Sequence, residues 1–188
     1  AGALERIPQD GELALASEDL SPMRVTIVRP PTVYGPGERR NFLALTRAIA
    51  RGGFPILGDG QNRISFCHLD NLVEALRHVA GTEGIVHVAD APVTSLARVV
   101  RTIAAACGTR PLPFRIPLPG ARAGAIACEL AFAPLRATPP LSRARLLTLT
   151  ADSALDTTRL RSLGFRWPVG FDEGVAETVA SYRADSVL

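Results

Sequence analysis

An α/β fold, at least partly parallel in its strand pairing, is what this sequence of 188 residues predicts. Three observations carry that expectation. Short β-branched runs alternate with segments whose apolar residues recur at helical spacing. Proline, glycine or a capping side chain punctuates the junctions between them. The balance of 47% hydrophobic to 21% charged residues, with mean hydropathy +0.17, belongs to a folded globular chain and excludes a disordered or low-complexity one. The length suits one domain with a substantial core, and the sequence shows no internal repeat and no long linker.

The first strand is Met23–Val28, stopped by Arg29-Pro30-Pro31 because consecutive prolines remove ladder donors. Gly35-Pro36-Gly37 turns the chain into a helix from about Arg40 to Arg51. That helix carries Phe42, Leu45, Ala48 and Ile49 on one face and ends at Gly52-Gly53. Ile64–His68 is the next strand, followed by Asp70 as N-cap of a helix over about Asn71–Val79. Ile85–Val88 is a further strand, after which Thr94 or Ser95 caps an amphipathic helix reaching about Ala106 and closed by Gly108. Beyond a proline-rich crossing, Ala121–Leu135 reads as an apolar helix, by default buried and otherwise a lid over an apolar substrate. Residues 137–150 read as irregular, with a helical turn near Ser142–Leu146. Asp156 then caps a short helix ending at Gly164, and Asp172 caps the last one, which runs to about Arg183.

Composition removes several chemistries. All 21 basic residues are arginine, so a P-loop lysine, a Schiff-base lysine and a Tyr-Lys hydride-transfer pair are impossible within these residues. Cys67, Cys107 and Cys128 are too far apart for a C-x-x-C zinc or redox motif and read as small apolar residues. No G-x-S-x-G elbow supports a hydrolase. The net charge of +3 is spread along the chain with few aromatic residues, which argues against a nucleic-acid groove. Charges interrupt every apolar stretch well short of a membrane span, and the N-terminus has no export signal, so a cytoplasmic location is expected.

Candidate site residues gather at strand ends. Arg29-Pro-Pro-Thr-Val-Tyr-Gly-Pro36 holds its backbone rigidly at the carboxyl end of a strand, where open α/β sheets bind ligands, and Tyr34 offers a hydroxyl there. A rigid strand-to-helix connector is the equal alternative. His68 and Asp70 form an H-x-D pair, but His78 and His87 add no metal-ligand spacing, so no metal is expected. Arg63 suits a phosphate or carboxylate through two parallel hydrogen bonds; otherwise it is a solvated strand-start arginine.

Four segments in series resemble the C-terminal half of the extended short-chain dehydrogenases/reductases, the NAD(P)-dependent epimerase/dehydratase family. They are Arg29–Pro36; Leu57-Gly-Asp-Gly-Gln-Asn-Arg-Ile-Ser-Phe-Cys-His-Leu-Asp-Asn-Leu72; Gly84-Ile-Val-His-Val-Ala-Asp90 with Val93–Leu96; and Leu155–Phe165 with Pro168 and Asp172-Glu-Gly174. The resemblance implies the C-terminal part of a Rossmann-like sheet with a small mixed α/β substrate-binding region. Residues 1–10 stand unmatched, 11–110 close the sheet, and 111–188 supply mainly the substrate region and C-terminal helices. It also implies NAD or NADP as cofactor, with Pro30, Pro31 and Val33 against the nicotinamide end. Thr32, Tyr34, Asn41, Phe42 and Arg63 would face a small-molecule substrate. That substrate would be a nucleotide sugar, bound by its diphosphate, or an apolar sterol- or isoprenoid-type alcohol. The stretch Leu147–Ser153 lacks the Arg/Gly/Asp pattern of nucleotide-sugar members, which tilts slightly toward the alcohol.

The departures are as informative. In the family's register the Tyr-x-x-x-Lys pair falls on Leu4 and Pro8, and neither offers a proton. No Gly-rich phosphate loop occurs. The chain therefore reads as a substrate-binding half that does not turn over substrate alone, binds NAD(P)H at best weakly, and associates through an unpaired strand edge. The alternative is a non-catalytic binding or assembly module of the same fold.

Overall fold

The computed structural model describes residues 24–112, 115–132 and 142–188. The expected strand start at Met23, the unmatched segment with Leu4 and Pro8, and the helix beyond Phe132 lie outside the described residues. In chain order the elements are β1 (Thr26–Arg29), β2 (Thr32–Tyr34), α1 (Asn41–Ala50), β3 (Ile56–Leu57), β4 (Arg63–Ile64), β5 (Phe66–His68), α2 (Leu69–His78), β6 (Gly84–His87), β7 (Thr94–Ser95), α3 (Leu96–Cys107), β8 (Arg115–Ile116), α4 (Leu118–Phe132), α5 (Arg143–Thr150), α6 (Thr158–Ser162) and α7 (Phe171–Ala184).

The strands pair two by two. β1–β6, β2–β5 and β3–β8 are parallel, while β4–β7 is antiparallel. The single strand expected over Ile64–His68 is two strands with different partners, parted at Ser65. There the hydroxyl accepts a hydrogen bond from the Leu155 peptide N–H at 3.0 Å, so a segment 90 residues downstream fixes the break. The β1–β6 sheet is asymmetric. The outer edge of β6 is closed by the Arg159 guanidinium, which donates to the carbonyls of Glu83 and Ile85. Gly84 leaves room for it, since a Cβ there would lie 3.1 Å from Arg159 Nη1. Among the described residues β1 pairs with β6 alone.

Caps follow side-chain chemistry, with three corrections. The cap of α2 is His68, whose Nδ1 accepts the Asp70 N–H at 3.4 Å, so Asp70 lies inside the first turn. Asp172 also lies inside its helix, one residue past the start of α7. It is held by Arg98 and Thr102 of α3, each at 3.1 Å. The turn expected near Ser142–Leu146 is the helix α5. Ser95 caps α3 and Gly108 ends it in the left-handed conformation, as expected.

Three apolar clusters hold the elements together. Tyr34, Phe42, Phe66 and Phe171 knit β2, α1, β5 and α7 around α3, with Tyr34 stacked on Phe42 at 4.7 Å between ring centroids. Cys67, Ala75, Val86, Leu160 and Phe165 join α2 and α6 to the β1–β6 sheet. A small cluster of Leu57, Ala121 and Leu146 underlies α4 and α5. The apolar α4 is not the buried helix its composition suggested, for only Ala121 and Ala125 of its described side chains are buried.

Candidate functional site

β2 and β5 run parallel and end side by side, Tyr34 opposite His68. Both strands therefore deliver their next residues to one place, at the carboxyl ends where α/β sheets take ligands. Gly35 belongs there for steric reasons: a Cβ on it would approach Leu69 Cβ to 3.0 Å. Above this junction opens a pocket of about 270 Å³, lined by Val33, Tyr34, Gly35, Pro36, Gly37, Glu38 and Leu69. Its rim is fixed by Glu38. One carboxylate oxygen accepts the Arg40 N–H at 2.7 Å; the other accepts the Leu43 N–H at 3.0 Å and the Tyr182 hydroxyl at 3.1 Å. Burial, and then the bond to Glu38, raises the Tyr182 phenol above its ordinary range. The sequence signal for Glu38 was an acid just ahead of a helix start, and it went unread.

A polar network lies beneath the pocket. Asp90 Oδ1 accepts from the His68 peptide N–H at 3.0 Å and from Asn71 Nδ2 at 2.8 Å. Asn71 also clamps Val169, donating to its carbonyl at 2.9 Å and accepting from its N–H at 3.0 Å. Tyr34 Oη and Asp90 Oδ2 have no hydrogen-bond partner among the described residues. Burial, followed by the negative charge of Asp90, drives the Tyr34 phenol far above its ordinary range and pushes the Cys67 thiol up to about 12. Neither group exchanges a proton at neutral pH.

Tyr34 and Phe42, expected to face substrate, are core residues with no exposed surface, because each ring is needed to fill the aromatic cluster around α3. Val33 contributes to the pocket wall. Pro30 is exposed, Pro31 and Thr32 are half-buried, and Asn41 is exposed at the first position of α1. Arg63 is exposed on β4, where its peptide N–H donates to Asp152 Oδ1 at 2.7 Å and its Nε to Asp152 Oδ2 at 3.3 Å. Those contacts hold the Asp152 carboxyl below its usual range, the backbone bond being the larger cause. Asp152 is a partner that sequence reasoning missed, since it is 89 residues away.

His68, Asp70 and Glu177 are close enough to suggest a metal site. His68 Nδ1 accepts the Asp70 N–H at 3.4 Å, and Nε2 faces Glu177 Oε2 at 3.6 Å.

The pattern of the NAD dependent epimerase/dehydratase family matches residues 12–89, a stretch that includes the pocket and the Asp70–Asn71 segment. Over that stretch the chain carries the pattern of that family. It is 28% identical over 184 residues to the UDP-glucose 4-epimerase of Vibrio cholerae, covering 95% of this chain and 52% of that protein. It is 24% identical over 159 residues to N-acetyl-alpha-D-glucosaminyl-diphospho-ditrans,octacis-undecaprenol 4-epimerase of Escherichia coli O157:H7, covering 82% of this chain and 48% of that one. The solved UDP-glucose 4-epimerase of Thermus thermophilus, in complex with NAD, superposes with a TM-score of 0.59 at 22% identity, over 92% of this chain and 51% of that one. The chain spans about half the length of these relatives. Its α/β framework is the corresponding part of their Rossmann-type fold.

Proposed function

We propose that this chain forms the substrate-binding half of an NAD(P)-dependent epimerase or oxidoreductase, completed by a nucleotide-binding half. The observation that carries this reading is the asymmetry of the β1–β6 sheet. Arg159 closes the β6 edge, so the sheet grows only at β1, whose carboxyl end leads into the pocket loop. The division at about residue 110, with the sheet's end before it and the substrate region after it, follows the same logic.

The residues present fit only one end of the cofactor. The pocket wall is apolar and suits a nicotinamide ring, whereas no Gly-rich loop is present to cradle the pyrophosphate. In the complete enzyme Pro30, Pro31 and Val33 pack against that ring, and NAD(P) supplies the hydride chemistry. Thr32 faces the reacting carbon. The acid and base come from the other half, because the sequence has no lysine and Tyr34 is sealed in the core.

The substrate we assign is a sugar carried on a diphosphate, with nucleotide or isoprenoid on the far side. Both curated relatives named above act on a sugar so attached, by their names. Arg63 exchanges Asp152 for the diphosphate, which accepts two parallel hydrogen bonds from the guanidinium, and Asn41 helps frame the sugar. The protein works in the cytoplasm, where its cysteines stay thiols. By itself it self-associates through an edge of the β1–β6 sheet.

Ligand-observed NMR with UDP-glucose, run beside an NADH fluorescence titration, tests the reading. We expect sugar-nucleotide signals that broaden with the chain and recover in R63Q, and NADH binding weaker than millimolar. Micromolar NADH binding by this chain alone would overturn the split, and broadening unaffected by R63Q would remove Arg63 from the site.

A further inference from the structure

Charge is not evenly spread through the chain once it is read in windows. Between Thr109 and Ala151 there are six arginines and one acid, Glu129, a net +5, while the rest of the chain carries −2 of the total +3. Glu129 is paired with Arg143, whose peptide N–H and Nε both donate to its carboxylate at 2.8 Å, so the net +5 stands on the other five arginines.

The helix α4 in this window buries small side chains and exposes large ones. A surface helix ordinarily points its large apolar side chains inward. In α4 the inward residues are Ala121 and Ala125, while Ile126 and Leu130 are 45% and 70% exposed. Helical spacing sets Arg122, Ile126 and Leu130 on one stripe. The neighbouring α5 turns Leu146 inward yet leaves Leu147, one turn from Arg143, 67% exposed. The Glu129–Arg143 ion pair and the small cluster of Leu57, Ala121 and Leu146 bind the two helices into one unit.

We propose that the α4–α5 pair is a docking surface for an anionic lipid bilayer. Exposed aliphatic side chains beside arginines are what an interfacial helix presents. The leucines enter the acyl boundary and the guanidiniums bind lipid phosphates. The unit lies on the bilayer rather than crossing it, for no helix among the described residues is long and apolar enough to span. A second copy of the chain is the poorer occupant, since two faces of this charge repel. A nucleic acid is poorer as well, because the large outward side chains of α4 and α5 are aliphatic and offer no stacking ring. This inference goes beyond the catalytic reading and stands without it.

The test is co-sedimentation of the full chain with phosphatidylcholine vesicles, with and without phosphatidylglycerol, at low and high salt. Far-UV circular dichroism checks the fold of each variant. The chain should bind the phosphatidylglycerol vesicles, release from them at high salt, and ignore pure phosphatidylcholine. L130S/L147S should lower partitioning at least about tenfold, and R122Q about fivefold. Folded wild-type chain that leaves phosphatidylglycerol vesicles unbound overturns the proposal. So does binding that both L130S/L147S and R122Q leave unchanged. Self-association abolished by L130S/L147S, with no vesicle binding, would assign the surface to a second copy and overturn it equally.

Discussion

Replacing Gly174 by alanine should destabilise the protein, although the same change inside a helix normally helps. Gly174 lies in α7 directly over the network below the pocket. A Cβ there would sit 2.8 Å from His68 Cδ2 and 2.9 Å from Tyr34 Oη. Neither neighbour yields easily: both side chains are fully buried, His68 is pinned by the N–H it accepts, and Tyr34 is stacked on Phe42. Helix propensity favours alanine by about 1 kcal/mol. Overpacking against two fixed rings costs about 2–3 kcal/mol. The net loss is about 1–2 kcal/mol, which lowers Tm by about 2–8 °C for a chain of this size. Gly124 in α4 supplies the internal control, because nothing lies within 4 Å of its Cβ position. G124A should therefore gain about 0.5–1 kcal/mol. Thermal melts followed by circular dichroism, run on the three proteins together, decide the matter. A Tm for G174A at or above wild type would refute the packing argument, and with it the rigidity of the network under the pocket.

Other expectations concern the same framework. N71A leaves the Val169 N–H and carbonyl unpaired and takes a donor from Asp90, so the urea midpoint should fall by the equivalent of about 2–4 kcal/mol with the slope unchanged. An unaltered midpoint would mean that water replaces the amide without loss. Cys67, buried and with its thiol pushed up to about 12, should react with a disulfide reagent only after denaturant is added, whereas the half-buried Cys128 should react in the native protein. Removing the Arg159 guanidinium exposes the carbonyls of Glu83 and Ile85, so R159A should scatter more light than wild type at equal concentration. Finally, the Thr158 hydroxyl and N–H hold the Asp156 carboxyl below its usual range. A depressed native pKa favours the folded state above the unfolded value near about 3.9, and the advantage fades as pH falls through the native value. Wild type and D156N should then differ in Tm at neutral pH and converge in acid; a gap that widens in acid would contradict the sign.

What the sequence determined by itself was local. Strand and helix periods, the Ser95 cap, the stops at Gly52 and Gly108 and the rigid Pro30-Pro31 exit all depend on residues within about four positions of one another, where propensity and turn chemistry act. The ordered segments that carry the family resemblance are local signals of the same kind, which is why that resemblance and the α/β class were legible from the residues. The tertiary structure decided what depends on distant partners. Ser65 breaks a strand because Leu155 reaches it, and Arg63 meets Asp152 across 89 residues. Tyr34 and Phe42 are apolar enough for either a cleft or a core, and only the convergence of α1, β5 and α7 sent them inward. The apolar composition of α4 called for a cover, yet among the described residues it is supplied over Ala121 and Ala125 only. Periodicity fixes which residues share a face, but the neighbours packed against it determine whether that face meets core or solvent.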